Sequence, residues 1–419
     1  MSKNNPFISH HLYPWIVWGL AAFFFFYKYF IQVSPGVMST QLMQVYSLSG
    51  AGLGHLAACF FYAYLIMQIP AGLLLDRYSP RLILLCAMIL CAFGTLIFAR
   101  TESFLVAELS RFLIGLTAAF AGITCFKLAT IWFPPKRFAL VAGLSMTIAM
   151  IGAVCGEAPL SYLMKHSDWR QALEITALSG FFLSFLIALI VRDKETTTPK
   201  STTQIGLTAQ MRIIFKEKQT WLLSLYSGLA FAPVSVFGGL WGVSFIEQAY
   251  AMGNVEAAGA VSLIFIGFAI GCPISGWISD RMERRKPIMV SGTLMAFICL
   301  ELILYVPLSP FMMQLLMFFF GLGASCFFLC FAMIREINPL VFAGSVLGFM
   351  NTFDSLWEAI TEPFVGKLLD LSWSGALQGS VRIFSVYEYR LGLSSLSIYL
   401  ILALGLLFFI KETFCKQKY

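Results

Sequence analysis

Apolar residues in this 419-residue chain come in blocks separated by short polar gaps that hold most of its charges. A bilayer's hydrocarbon core of about 30 Å is crossed by about twenty apolar residues of helix, so each block predicts one membrane-spanning helix. Twelve are read, over 14–33, 50–75, 80–99, 104–132, 138–164, 170–191, 220–247, 257–279, 287–306, 310–334, 341–371 and 392–410. The first block has no small-residue cleavage site behind it and is longer than the apolar part of a signal peptide, so it is expected to be retained. The one long polar stretch, rich in Thr, Lys and Gln, follows the sixth block. It predicts a six-helix bundle over 1–191, a cytoplasmic linker over 192–218 and a second six-helix bundle over 219–419.

The two bundles repeat one another. Gly72-x-x-x-Asp76-Arg77 follows the second block and Gly276-x-x-x-Asp280-Arg281 follows the eighth, 204 positions later. Pro159 and Pro363, in the fifth and eleventh blocks, are also 204 apart. Two landmarks at one offset indicate parallel halves, an architecture that secondary transporters use with the binding site between the halves near mid-membrane.

Composition narrows the class further. At 59% hydrophobic and 12% charged, the chain has about half the charge of a soluble protein, which excludes a soluble globular domain and a disordered one. The net charge of +7 would suggest nucleic acid if it were spread over a surface. Instead, 19 of the 28 Lys and Arg residues lie in gaps on the side of the termini, 6 lie on the opposite side, and Lys28, Arg111 and Lys127 fall within blocks. That bias puts both termini in the cytoplasm and leaves no call for a nucleic-acid partner. The ten cysteines stand singly, nearly all in apolar runs, and the four histidines fall near helix ends. No metal site and no cofactor are therefore expected. No phosphate-cradling G-x-x-x-x-G-K-[ST] run exists to support ATP-driven pumping. No nucleophile–base pair points to an enzyme.

These motifs resemble the major facilitator superfamily along the whole chain. The family's loop signature, Gly-x-x-x-Asp-Arg-x-Gly followed by basic residues, reads Gly72, Asp76, Arg77 with Ser79 and Pro80 in place of Gly and a base, then Arg81. Its second copy reads Gly276, Asp280, Arg281 with Glu283 for Gly, then Arg284, Arg285 and Lys286. The resemblance implies an all-α integral membrane fold, twelve transmembrane helices in two parallel six-helix repeats, working as a monomer. It also implies gating by Asp76, Arg77, Asp280 and Arg281, whose carboxylates exchange partners as the halves rock. Arg111-x-x-x-Gly115 is similar to the family's fourth-helix arginine motif. Gly143-x8-Gly152-x3-Gly156 matches the glycine spacing of the family's antiporter motif, except that Glu157 stands where that motif has Pro. Small residues so spaced also serve close helix packing. The segment from Tyr27 to Met38 is similar to the phagosomal nutrient transporters of intracellular bacteria, which implies a bacterial inner membrane and nutrient uptake.

An ionisable group near the bilayer centre costs at least about 2.5–3.5 kcal/mol, so it faces protein or water and marks function. The blocks contain Lys28, Arg111, Lys127, Glu157, Glu301, Asp354, Glu358 and Glu362. Asp354, Glu358 and Glu362 recur every four residues, so they stay within about 80° of one another on one helix face. Like charges so close resist ionising together, and such a stripe can take up and release a proton. Glu157 and Arg111 share a depth, and either an ion pair or a role in proton coupling follows.

These residues predict a secondary carrier working by alternating access, a proton-coupled symporter importing an amino acid, short peptide or similar nutrient. A lysine on one wall and acids on the other suit a zwitterion. Lys28, Lys127, Tyr27 and Trp357 are the expected substrate contacts, and Asp354, Glu358, Glu362, Glu157 and Arg111 the expected coupling groups. The alternatives are import of a polycarboxylate or iron-chelator complex, proton-coupled efflux of amphiphiles, and a non-transporting membrane receptor. Substrate identity, direction and coupling ion are not encoded in any motif.

Overall fold

Lipid offers a bare backbone no hydrogen bonds, so apolar blocks of this length fold as helix. The computed structural model describes residues 12–193, 215–339 and 343–417. The central part of the expected linker, 194–214, lies outside the described residues.

The first half consists of α1 (Tyr13–Val37), the short α2 (Ser39–Tyr46), α3 (Gly50–Arg77), α4 (Pro80–Arg100), α5 (Phe104–Trp132), α6 (Pro135–His166) and α7 (Trp169–Ile190). In the second half, α8 (Lys218–Val236) continues through a π turn (Phe237–Trp241) into α9 (Gly242–Tyr250). Then follow α10 (Asn254–Met282), α11 (Lys286–Tyr305), and α12 (Pro310–Ala324), which passes through a 3-10 turn (Ser325–Phe328) into α13 (Leu329–Ile337). The last two are α14 (Ala343–Ser372) and α15 (Val386–Phe409), joined by a small hairpin of β1 (Leu377–Gln378) and β2 (Val381–Arg382). Eleven of these helical segments are long and apolar enough to cross a membrane. The twelfth, α14, is as long but carries Asp354, Glu358, Glu362, Lys367 and Asp370.

Local sequence sets the helix starts. The Ser49 hydroxyl accepts the Gly52 N–H at 3.2 Å and Ser79 accepts that of Leu82 at 3.2 Å, with Pro80 opening α4 where its missing N–H costs nothing. Ser385 and Glu388 close a reciprocal capping box. That box starts α15 six residues ahead of the position expected from hydropathy, through a polar turn that an apolar window does not register.

Within the first half, α6 packs on α1 through glycine. A Cβ at Gly156 would stand 2.6 Å from the Phe30 carbonyl oxygen, and one at Gly152 would collide with the backbone of Phe26. Gly143 has open space around it. Two of the three antiporter-like glycines therefore serve backbone contact with α1.

The halves meet where α3 packs against α14, α6 against α10, and α1 against the π turn. Across this seam Gln32 donates to Ser235 at 3.4 Å, and the Ser39 and Ser244 hydroxyls lie 2.8 Å apart. The Asp370 carboxylate accepts the N–H groups of Gly50 and Ala51 at 2.9 and 2.8 Å. Asn254 joins Ser161 at 2.5 Å and donates to the Val37 carbonyl at 3.2 Å. Among the described residues, all of these bonds lie in the part of the bundle away from the chain termini. Toward the termini, Gly72 of α3 and Gly344 and Gly348 of α14 have nothing within 4 Å of a would-be Cβ, and neither has Gly276 of α10. The halves are thus sealed against one another at the end remote from the termini.

Candidate functional site

Burying a charge is costly unless it is paired, hydrogen-bonded or used. The seam between the halves collects several buried charges. Lys28 of α1 is only 5% exposed, and Asp354, Glu358 and Glu362 of α14 are 7%, 3% and 3% exposed. The charges of Lys28 and Glu358 act on one another across the seam, yet no ion pair within 4 Å joins Lys28 to a carboxylate among the described residues. Its ammonium instead rests on aromatic faces, 3.6 Å from the centre of the Tyr29 ring and 5.0 Å from that of Tyr64. Such contacts are worth roughly 2 kcal/mol when desolvated. Tyr64 is itself backed by Phe60, stacked at 5.8 Å.

On the other wall, Asp354 accepts the Ser227 hydroxyl of α8 at 2.6 Å. Glu358 lies beside Ser235, the residue that Gln32 also reaches, and one of its carboxylate oxygens has no hydrogen-bond partner. Glu362 likewise keeps one oxygen without a partner, and its charge faces Arg111 of α5. Arg111 is fully buried, donates to the Ile31 carbonyl at 2.9 Å, and sits 5.3 and 5.9 Å from the ring centres of Phe60 and Phe98. Its Nε and second amino group have no partner.

The ion pair expected between Arg111 and Glu157 does not form. Glu157 is fully buried on α6 with neither carboxylate oxygen hydrogen-bonded, and the next residue, Ala158, donates its N–H to Ser262 of α10 at 3.4 Å. Equal depth along two helices says nothing about which way each side chain points.

The expected substrate contacts divide in the same way. Tyr27 turns into its own half, where its hydroxyl donates to Thr95 of α4 at 3.0 Å, because one residue along a helix rotates a side chain by about 100° from Lys28. Trp357 packs edge-on against Tyr399 at 5.0 Å and presses on Gly228, with its indole N–H lacking a hydrogen bond. Lys127 is half-buried on α5, sixteen residues or about 24 Å along the axis from Arg111, toward the end of the termini. Glu301 is half-buried on α11 with one oxygen enclosed and lacking a partner.

Uncharged groups complete the cluster, and the inventory of charges passes over them. Gln32 keeps its amide oxygen without a partner, and Gln68, 2% exposed, has neither amide atom in a bond that meets hydrogen-bond geometry. A glutamine inside an apolar block was the available signal.

At the end of the termini, the loop carboxylate Asp280 pairs with Arg285 at 2.5 Å, and Arg285 also reaches Glu336 at 2.9 Å. The guanidinium of Arg281 lies 5.6 Å from the ring centre of Trp277, and Arg77 is exposed. Each of the described pairs stays within the second half. The side chain of Asp76 lies outside the described residues.

Comparison with known proteins fixes the family. The model of the Major Facilitator Superfamily matches residues 16–361. The chain belongs to the Major Facilitator Superfamily. Relatives within it include the hexuronate transporter of Bacillus subtilis, 23% identical over 364 residues, spanning 81% of this chain and 85% of that one. The lysosomal dipeptide transporter MFSD1 of Danio rerio is 23% identical over 385 residues, spanning 87% and 82%. Among solved structures, a bacterial homologue of the human lysosomal transporter Spinster, inward-facing and unoccupied, superposes with a TM-score of 0.79 at 16% identity over 96% of this chain and 98% of that one. The twelve-helix, two-half fold expected from the sequence is that of this superfamily, and a transporter family is where the chain stands.

Proposed function

We propose that the protein is a proton-coupled carrier that imports a small zwitterionic solute, an amino acid or short peptide, across a bacterial inner membrane by alternating access. Both termini are assigned to the cytoplasm on the lysine and arginine bias. With that orientation the end where the halves are bonded together faces outward, which is the arrangement of a state that releases imported cargo to the cytoplasm.

The observation that carries this reading is the position of Lys28 opposite Glu358, one from each half, their charges interacting without a direct ion pair. A substrate carboxylate at the aromatic-backed ammonium and a substrate ammonium at the free oxygen of Glu358 would complete both groups and draw the halves together. Ligand binding moves a conformational equilibrium only through such differential contact. The charge balance supports proton coupling. Among the described residues, Asp354, Glu358 and Glu362 are set against Lys28 and Arg111, three acids to two bases, so full ionisation leaves an excess negative charge in this buried set. A proton, or a cationic group of the substrate, removes it. Glu157, buried alone at the seam of α6 and α10, is a second proton-binding candidate that opening of the outer end would hydrate.

Import of a carboxylate is the second reading. It draws support from the hexuronate transporter among the relatives and from Lys28 and Arg111 as anion-binding groups. A thermal-unfolding screen of the detergent-purified protein separates the two. A ligand that binds only the folded form raises the melting temperature with concentration. Stabilisation by amino acids or dipeptides, abolished by Lys28→Ala and by Glu358→Gln alike, is the expected result. Stabilisation by uronates or dicarboxylates that survives Glu358→Gln would replace the zwitterion with the anion.

A further inference from the structure

Sequence spacing gives no histidine a ligand role, but folding brings one histidine to a thiol and a carboxylate. His55 and Cys59 stand four residues apart on one face of α3, and Glu108 comes from the second turn of α5 at the same sealed end. His55 Nδ1 lies 2.8 Å from Glu108 Oε1 and 4.0 Å from Cys59 Sγ, and the three donor atoms all fall within 4.8 Å of one another. The cluster is graded in exposure: the His55 side chain is half exposed, that of Glu108 is 18% exposed, and Cys59 is buried. An ion has an entrance from the surface, and its deepest ligand is sheltered.

We propose that His55, Cys59 and Glu108 form a binding site for a soft divalent metal ion of the zinc class on the face of the first half remote from the termini. An ordinary His–Glu pair accounts for the 2.8 Å contact but not for the thiol placed behind it. Imidazole, thiolate and carboxylate are the donor set of zinc, cobalt and their neighbours, and three protein ligands with one open position describe a tetrahedral site whose fourth place is taken by water. Bonds of about 2.0–2.3 Å in a tetrahedral site set the donor atoms roughly 3.3–3.7 Å apart, so the His55–Glu108 pair has to open slightly from 2.8 Å while the Cys59 sulfur comes in from 4.0 Å, which rotation of the His55 and Glu108 side chains can supply. Binding releases the Cys59 proton to solvent as the sulfur–metal bond forms. Because α3 and α5 belong to the same half, the ion ties them together without crossing the seam. It therefore stabilises that half and leaves the rocking motion free.

Cobalt(II) is the probe. Titrated into the purified full-length protein, it is expected to saturate at a single equivalent with tetrahedral visible bands and a near-ultraviolet thiolate-to-cobalt charge-transfer band. Cys59→Ser should remove the charge-transfer band, and His55→Asn and Glu108→Gln should each weaken binding at least tenfold. Zinc should raise the melting temperature of the wild-type protein and not that of Cys59→Ser. Nine other cysteines are present, so the difference between wild type and Cys59→Ser isolates this site. An identical cobalt spectrum and affinity in those two proteins, or no saturable binding in the wild type, overturns the proposal. If Cys59→Ser melts lower without metal, His55→Asn decides, since it alters an exposed side chain. Unchanged cobalt binding in His55→Asn would refute the site, and loss of binding with metal-free melting intact would support it.

Discussion

Asp370 of α14 accepts the backbone N–H of Gly50 at 2.9 Å, a bond that joins the second half of the protein to the first turn of α3 in the first. The same carboxylate takes the Ala51 N–H at 2.8 Å and is held from behind by Arg382 of the hairpin at 2.9 Å. Two of the donors that a helix start leaves unsatisfied are thus met by the opposite half, and the carboxylate sits at the positive end of the helix dipole. Gly366, one turn earlier on α14, lies against the Gly50 backbone with no room for a Cβ. These contacts join the two halves at this end.

Asp370→Ala is accordingly expected to favour the state open at that end. Losing hydrogen bonds to a charged acceptor costs about 2 kcal/mol, or roughly thirtyfold in the ratio of the two states. A cysteine pair at Ser39 and Ser244, whose hydroxyls lie 2.8 Å apart, reports it in a background without the native cysteines. Oxidation should cross-link that pair readily in the parent and markedly less in Asp370→Ala. Equal cross-linking would show that Asp370 does not hold the seal.

Glu283 ends α10 in the left-handed conformation, with φ 50° and ψ 32°, at the loop position where the family signature has glycine. A residue with a Cβ there costs about 1 kcal/mol or more relative to glycine. Glu283→Gly should therefore raise the melting temperature modestly and leave transport unchanged. A lower melting temperature would mean that the Glu283 side chain contributes more than its backbone costs.

The spans, the repeat and the family signature were legible because lipid leaves a chain few ways to cross it and because depth along a helix follows from counting residues. Direction around the helix was less legible. Lys28 and the acidic stripe do reach the seam, but Tyr27 turns toward Thr95, and Arg111 finds Ile31 and the field of Glu362 rather than Glu157. Packing between helices decides those azimuths, and a single sequence carries it only weakly. Asp370 falls on the continuation of the stripe, two turns past Glu362 with Gly366 between. An inventory of charges in mid-membrane stops short of it. The π turn at Phe237–Trp241, which lets Gly36 approach the Gly239 carbonyl, has no hydropathy signal at all.

Glu412, beyond the last span, gives a dependence on pH. Partial burial raises its pKa, but the N–H groups of Arg285, Lys286, Phe414 and Thr413 hydrogen-bond its carboxylate and outweigh that, leaving it below 4.5. A carboxyl depressed by folding contributes stability that is present above its unfolded pKa and is lost as pH falls through the folded value. Melting temperature measured from pH 6 downward should therefore fall more steeply below about pH 4.5 in the wild type than in Glu412→Gln. Parallel curves would place the acid sensitivity elsewhere.

The same accounting of charge gives the strictest test of transport. If the stripe on α14 carries the coupled proton, Glu358→Gln removes both a proton site and the partner that Lys28 faces across the seam. Gradient-driven accumulation in liposomes should be abolished and substrate binding weakened. Glu362→Gln and Asp354→Asn leave Lys28 and Glu358 in place, and so should lose accumulation while substrate exchange across the membrane persists. Lys28→Ala should weaken binding at every pH, since the anion-binding group is gone whatever the protonation of the acids. The pattern matters more than any one variant. Accumulation retained in all three carboxylate variants and in Glu157→Gln would remove proton coupling from the buried acids. Exchange lost together with accumulation in Glu362→Gln would move that residue from the coupling path into the binding site.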